Sequence, residues 1–191
     1  ITVGAISGNT TEAGGTATFT IVLDTQPTAN VTIGLSTDDA TEGSVAPASV
    51  VFTSANWSTA QTVTVTGQDD PAQDGNILYN ILTAAATSAD TNYNTLNAAD
   101  IAVTNTDNDT AGITVGAISG NTTEGGSTAT FTIVLDTQPT ANVTIGLSSD
   151  DATEGSVAPA SVVFTSANWS TAQTVTATGQ DDPAQDGNIL Y

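Results

Sequence analysis

An all-β fold, built as antiparallel β-sandwiches repeated in tandem, is predicted by three observations. The first is period-two alternation: Ala17, Phe19, Ile21 and Leu23 alternate with Thr18, Thr20 and Val22, and Val31, Ile33 and Leu35 alternate with Thr32, Gly34 and Ser36. Successive side chains of a strand point to opposite faces, so each run offers one face to a core and one to water. The second is residue type, because the β-branched Thr, Val and Ile that fill these runs suit a pleated, half-buried surface. The third is self-similarity. Residues 1–12 recur as residues 113–124, a period of 112, and four of the 79 paired positions differ: Ala13 with Gly125, Gly15 with Ser127, Thr37 with Ser149 and Val65 with Ala177. Two copies this alike point to an array of such units.

Two domains follow: repeat 1 at residues 1–112 and repeat 2 at 113–191, the second incomplete at its C-terminal end because Tyr191 is the counterpart of Tyr79. Either the chain continues and this is an excerpt, or a neighbouring molecule is expected to donate the missing strands. Within repeat 1 the strands are expected at residues 1–6, 17–23, 31–36, 49–53, 62–66, 77–83 and 100–105. Turn chemistry separates them at Gly8-Asn9, Gln26-Pro27, Glu42-Gly43, Asp70-Pro71 and Asp74-Gly75. About seven strands in about 110 residues is the pattern of an immunoglobulin-like sandwich. Residues 84–99 are the vaguest part, a loop with room for one short helical turn. Trp57 and Trp169, in Asn-Trp-Ser turns, read as plugs at one end of each core, and Tyr79 as a packed strand residue.

Composition narrows the function classes. The chain has 20 Asp plus Glu, no Lys, Arg or His, and a formal charge of −20. Side-chain salt bridges are therefore excluded, and nucleic acid and anionic membranes are poor partners. Cys and Met are absent, so disulfides and thiolate metal sites are excluded too. No run of about 18 apolar residues exists to span a membrane as a helix. Without His, Lys or Cys the usual catalytic bases and nucleophiles are missing, and no enzyme activity is expected. A carboxylate pair of the glycosidase type is the one residual catalytic option.

The nonapeptide Thr104-Asn105-Thr106-Asp107-Asn108-Asp109-Thr110-Ala111-Gly112 joins the two copies. It carries carboxylates where a flexible linker would carry Gly and Ser. Two carboxylates about 5 Å apart repel by roughly 3 kcal/mol at an effective dielectric of about 20. Clusters of them need solvent, protonation or a metal. Calcium takes six to eight oxygens, which carboxylates, Asn and backbone carbonyls supply. The alternative is that Asp and Asn are here only as turn formers.

Four motifs in register resemble the Calx-β family: residues 11–19 (Thr-Glu-Ala-Gly-Gly-Thr-Ala-Thr-Phe), residues 36–41 (Ser-Thr-Asp-Asp-Ala-Thr), residues 63–70 ending in Gln68-Asp69-Asp70, and residues 103–109 ending in Asp107-Asn108-Asp109. These are calcium-binding sandwiches that occur in tandem in large bacterial surface proteins. The resemblance implies that acidic loops gather at one end of the sandwich around calcium. The implied ligands in repeat 1 are Glu12, Asp39, Asp69, Asp70, Asp74, Asp107 and Asp109. In repeat 2 they are Glu124, Asp151, Asp181, Asp182 and Asp186. Asn108 stands where an Asp is common in the family, Pro71 interrupts the acidic run and Gly75 follows Asp74, which lowers the expected count to one or two ions per unit. Asp24, Asp90 and Asp100 read as ordinary loop carboxylates.

The expected function is a structural repeat of an extracellular fibril or cell-surface stalk, a linear chain of calcium-rigidified units whose partners are further copies of the repeat. The alternative is an adhesin module that binds a glycan or cell surface. Attached glycans are a further expectation. The sequons at Asn9, Asn30, Asn56 and Asn108, all but the last recurring in repeat 2, offer acceptors. The plainer reading of 38 Thr and 15 Ser is that Thr suits exposed strand positions.

Overall fold

The computed structural model describes residues 1–181, 183 and 187–190. The described residues form strands, turns and loops with no helix. They divide into two units: Ile1–Asp70 with Asp74–Asn108, and Pro71–Gln73 with the chain from Asp109 onward.

The first unit is an immunoglobulin-like β-sandwich. Its strands are β1 (Thr2–Val3), β2 (Thr10–Thr11), β3 (Thr16–Val22), β4 (Val31–Thr37), β5 (Gly43–Ala46), β6 (Ser49–Phe52), β7 (Gln61–Gly67), β8 (Ile77–Thr83), β9 (Thr87–Ser88) and β10 (Ile101–Thr106). One sheet runs β1-β3-β7-β5; the other runs β2-β10-β8-β4-β6, with β9 also paired to β4. Every pairing is antiparallel except that of β2 with β10, which is parallel, with Asn105 opposite Thr10 and Thr106 opposite Thr11.

Alternation places the core as expected. Phe19, Ile21, Val63 and Val65 of one sheet face Ile33, Val50, Phe52, Tyr79, Ile81 and Val103 of the other, all buried. Each such side chain contributes roughly 1.5–3 kcal/mol by leaving water. On the outer face Thr16, Thr18 and Thr20 lie opposite Thr66, Thr64 and Thr62, so cross-strand Thr pairs cover the wet side. Trp57 packs partly buried against this core, and its carbonyl accepts from Leu23 N at 3.1 Å.

Three short strands escape the alternation rule. The β2 and β9 strands have two residues each, and β5 is the sequence Gly-Ser-Val-Ala. The 84–99 loop contains β9 and turns rather than a helical turn. Ala86 N donates to Leu96 O at 2.7 Å and Thr95 N to Ala86 O at 2.8 Å, so the alanines are spent on a hairpin-like closure. Tyr93 anchors it, donating to Thr25 O at 2.6 Å, while the Asp90 carboxylate accepts from Thr28 N at 2.8 Å and Asn92 N at 3.0 Å.

The second unit repeats one sheet and part of the other. Its strands are β11 (Ile113–Val115), β12 (Thr128–Leu135), β13 (Val143–Gly146), β14 (Gly155–Ala158), β15 (Ser161–Phe164) and β16 (Gln173–Gly179). They form a four-stranded sheet, β11-β12-β16-β14, and a two-stranded one, β13-β15. In the first unit the last three residues of β4 pair with β8. Among the described residues no counterpart of β8 borders 147–149, and β13 stops at Gly146. Consequently Phe131, Val143, Ile145 and Leu147 are only partly buried, whereas Phe19, Val31, Ile33 and Leu35 are core.

This difference yields a direct test on identical side chains. Phe19→Ala is expected to cost about 3–5 kcal/mol of unfolding free energy, measured by denaturant titration. Phe131→Ala should cost distinctly less, because its side chain is only partly buried. Equal losses would contradict the assignment of the two cores.

Candidate metal centre

Parallel pairing of β2 with β10 is what builds the first acidic group. Glu12 directly follows β2, Asp107 directly follows β10, and Glu12 N donates to Thr106 O at 3.1 Å. Glu12 is 3% exposed, and its Oε2 accepts from Asn108 N at 2.9 Å. Asp107 Oδ2 accepts from Gly75 N at 2.8 Å; Gly75 has φ +87°, a backbone region that favours glycine. Glu12, Asp107 and Asp109 thus bring carboxylate oxygens within 4.8 Å of one another. Asp109 Oδ2 is enclosed and accepts no hydrogen bond, while the residue engages its surroundings in other ways.

The second group is Glu42, Asp70 and Asp74, again with ligand oxygens within 4.8 Å. Its geometry begins in the β4–β5 loop, where Asp39 Oδ1 accepts from Thr41 N at 3.0 Å and Thr41 Oγ1 at 2.5 Å. That tight turn directs Glu42 inward to 5% exposure. Glu42 Oε2 accepts from Asn105 Nδ2 at 3.4 Å, and Gln68 N donates to Glu42 O at 2.9 Å, which fixes the loop beside the end of β7 that leads to Asp70.

The electrostatics are unfavourable at Glu42, in the second group. Among the described residues the one ion pair joins the chain's terminal ammonium to Asp24, at 2.7 Å, away from either group. Burial pushes the Glu42 carboxyl above the usual range; the charges of Asp74, Asp39 and Asp70 add to this, and the Asn105 hydrogen bond opposes it. Carboxylates with hydrogen-bond donors go the other way. Asp38 is held low by Asn80, Asp39 by Thr41, Asp90 by Thr28 and Asn92, and Asp24 by the terminal amine and Thr2. The donor set is all oxygen, two of its carboxylates are nearly enclosed, and neither Cys nor His is present. It fits a hard divalent cation of the calcium type.

The other candidates among the described residues are not members of these two groups. The Asp39 carboxylate is occupied in the turn at Thr41, and Asp69 is exposed outside both groups. In the second unit Glu124 and Asp181 are exposed, and Asp151 repeats the Asp39 turn with Thr153 N at 3.0 Å and Thr153 Oγ1 at 2.6 Å. Asp182 and Asp186 lie outside the described residues. Both acidic groups found among the described residues use repeat-1 carboxylates; counterparts of Asp107 and Asp109 do not occur within the 191 residues. Glu42 is the ligand candidate that sequence reasoning missed. Its signal was a carboxylate three positions after Asp39, hidden by the Glu42-Gly43 pair, which reads as a turn. Asp90 and Asp100 are structural, the latter accepting from Thr83 N at 2.8 Å.

No protein-family model matches the chain, and no curated protein does. Solved structures similar to it include CBD12 from CALX1.2, at 14% identity and TM-score 0.42 over 90% of this chain and 72% of that one. Another is the calcium binding domain CBD12 of CALX1.1, at 13% identity and TM-score 0.36 over 95% and 77%. The E. coli chaperone DraB matches at 11% identity and TM-score 0.38 over 96% and 87%.

A carboxyl whose folded pKa lies above its unfolded value supports the fold in its protonated form; that support is complete below the ordinary glutamate range and is lost as pH rises through the raised value. In a chelator, Glu42→Gln is therefore expected to melt higher than the wild type at neutral pH, with the difference vanishing towards pH 4. In calcium the order should reverse, because the substitution removes a ligand charge. Thermal melts across pH with and without calcium check this, and an absent reversal would contradict the metal assignment.

Proposed function

We propose that this chain is a structural repeat of an extracellular fibre or surface stalk, in which immunoglobulin-like units are strung in line and stiffened by calcium. One observation carries the reading. The chain passes between its two units at Asp70–Pro71, Gln73–Asp74 and Asn108–Asp109, and a carboxylate of the two acidic groups borders every passage. An ion that fixes Asp70, Asp74, Asp107 and Asp109 restrains the backbone at each of these places. With the ions removed, mutual repulsion loosens the same segments.

Composition and repetition support the assembly. In a longer array of near-identical copies the same ligand set would recur at each joint, which makes further copies of the repeat the natural partners. Calcium sites of extracellular modules bind at roughly 10⁻⁴–10⁻³ M, where extracellular calcium keeps them filled. A surface with no positive side chain repels nucleic acid and anionic lipid, and no helix of the described residues is long and apolar enough to cross a membrane. We assign the chain no catalytic role. Glycans are proposed on the exposed Asn9, Asn30 and Asn108. Asn56 is a poor acceptor, because its Oδ1 takes Thr53 N at 2.6 Å and its Nδ2 donates to Val51 O at 3.3 Å.

Small-angle scattering in calcium and in EDTA tests the proposal. The maximum dimension is expected to be longer and better defined in calcium, and the Asp107→Asn, Asp109→Asn double variant should resemble the EDTA state in both buffers. An unchanged profile on chelation, or a variant indistinguishable from wild type, would contradict it.

A further inference from the structure

Under the two acidic groups lies a buried cluster that ion binding does not use. Thr10 is 0% exposed and Asn105 1%, and parallel pairing sets them directly opposite each other, one on β2 and the other on β10. Thr10 Oγ1 donates to Asn105 Oδ1 at 3.0 Å and lies 3.1 Å from the Tyr79 hydroxyl. On its other side the carboxamide nitrogen donates to Gln68 O at 2.9 Å and to Glu42 Oε2 at 3.4 Å. The cluster is shaped by absent side chains. Gly43 and Gly67 face each other across β5 and β7; a Cβ on Gly43 would run into the Tyr79 ring, and one on Gly67 into Asn105 Oδ1 and the Thr11 carbonyl.

From this arrangement we propose that Thr10 and Asn105 become joined by an intramolecular ester, a covalent tie between β2 and β10. The hydroxyl is a nucleophile held against a carboxamide in a site closed to water, and fixed proximity of this kind replaces a large part of the entropic barrier. In the step, a lone pair of Thr10 Oγ1 attacks Asn105 Cγ and the Cγ–Nδ2 bond breaks. The hydroxyl proton, which Thr10 donates to Asn105 Oδ1, passes by way of that oxygen to the departing nitrogen, which leaves as ammonia with its own two hydrogens. No oxidant, reductant or second substrate is consumed, and escape of ammonia draws the reaction forward. Burial then protects the ester from hydrolysis.

The tie would span 95 residues of sequence and lock the closing strand β10, which leads straight into Asp107 and the second unit. In a chain under tension that strand carries load, and a bond across its parallel pairing resists the slip that hydrogen bonds alone allow. Within these 191 residues the pair occurs once, as Thr10 and Asn105; Thr122 stands at the position of Thr10 in repeat 2.

Intact mass spectrometry of the native chain, followed by peptide mapping, tests the inference. The expected mass is one ammonia below that of the sequence, with the peptides bearing Thr10 and Asn105 recovered as one covalent species that hydroxylamine severs. Thr10→Val should restore the full mass. A wild-type chain of full sequence mass overturns the inference, as does an ammonia loss confined to one unlinked peptide, the sign of a cyclised asparagine. The wild-type measurement decides the matter even where the variant fails to fold.

Discussion

Carboxylates packed together in a chain with no side-chain cation are the constraint on which the rest of the structure depends. In most proteins a buried Glu leans on an Arg or Lys; here neither exists. The fold nevertheless encloses Glu12 and Glu42 and sets two more acids beside each of them. Each close pair costs roughly 3 kcal/mol at an intermediate dielectric, more than a hydrogen bond to a backbone amide returns. An arrangement of this kind is tenable when solvent, protons or a metal ion offset the repulsion. Three acids per group, all offering oxygen, favour the metal.

The framework that imposes this closeness is the parallel contact of β2 with β10. It brings the beginning of the sandwich to its end, so that Glu12 meets Asp107 across almost the whole first unit. The same contact explains the buried Thr10, Asn105 and Tyr79, and through them the bare glycines at 43 and 67. A single pairing thereby sets both the acidic rim and the polar cluster beneath it. Asp70 follows the end of β7, and Asp107 follows the end of β10.

Much of this was legible in the sequence, because alternation is a strong signal over seven residues. Strands β3, β4, β7 and β8 fall within a residue or two of their expected positions, and Thr16, Thr18 and Thr20 stand on the wet face as the pattern requires. Two-residue strands such as β2 have no period to detect, so the pairing that organises the site was invisible. The same limit explains Glu42. Asp39 and Glu42 share one loop, and the Thr41 hydrogen bonds that keep Asp39 outside and turn Glu42 inward are a matter of three-dimensional geometry. Asp69 and Asp70 are adjacent, yet the chain direction at the end of β7 exposes the first and sets the second in a group. Residue type identified the acidic loops; it did not decide which oxygen of each loop faces inward.

The most direct test of the central claim is crystallographic. Crystals grown with calcium and measured at a wavelength where calcium scatters anomalously are predicted to show a peak within bonding distance of Glu12, Asp107 and Asp109, and a second beside Glu42, Asp70 and Asp74. Maps with no anomalous signal at either place, and carboxylates bonded to water alone, would contradict the account.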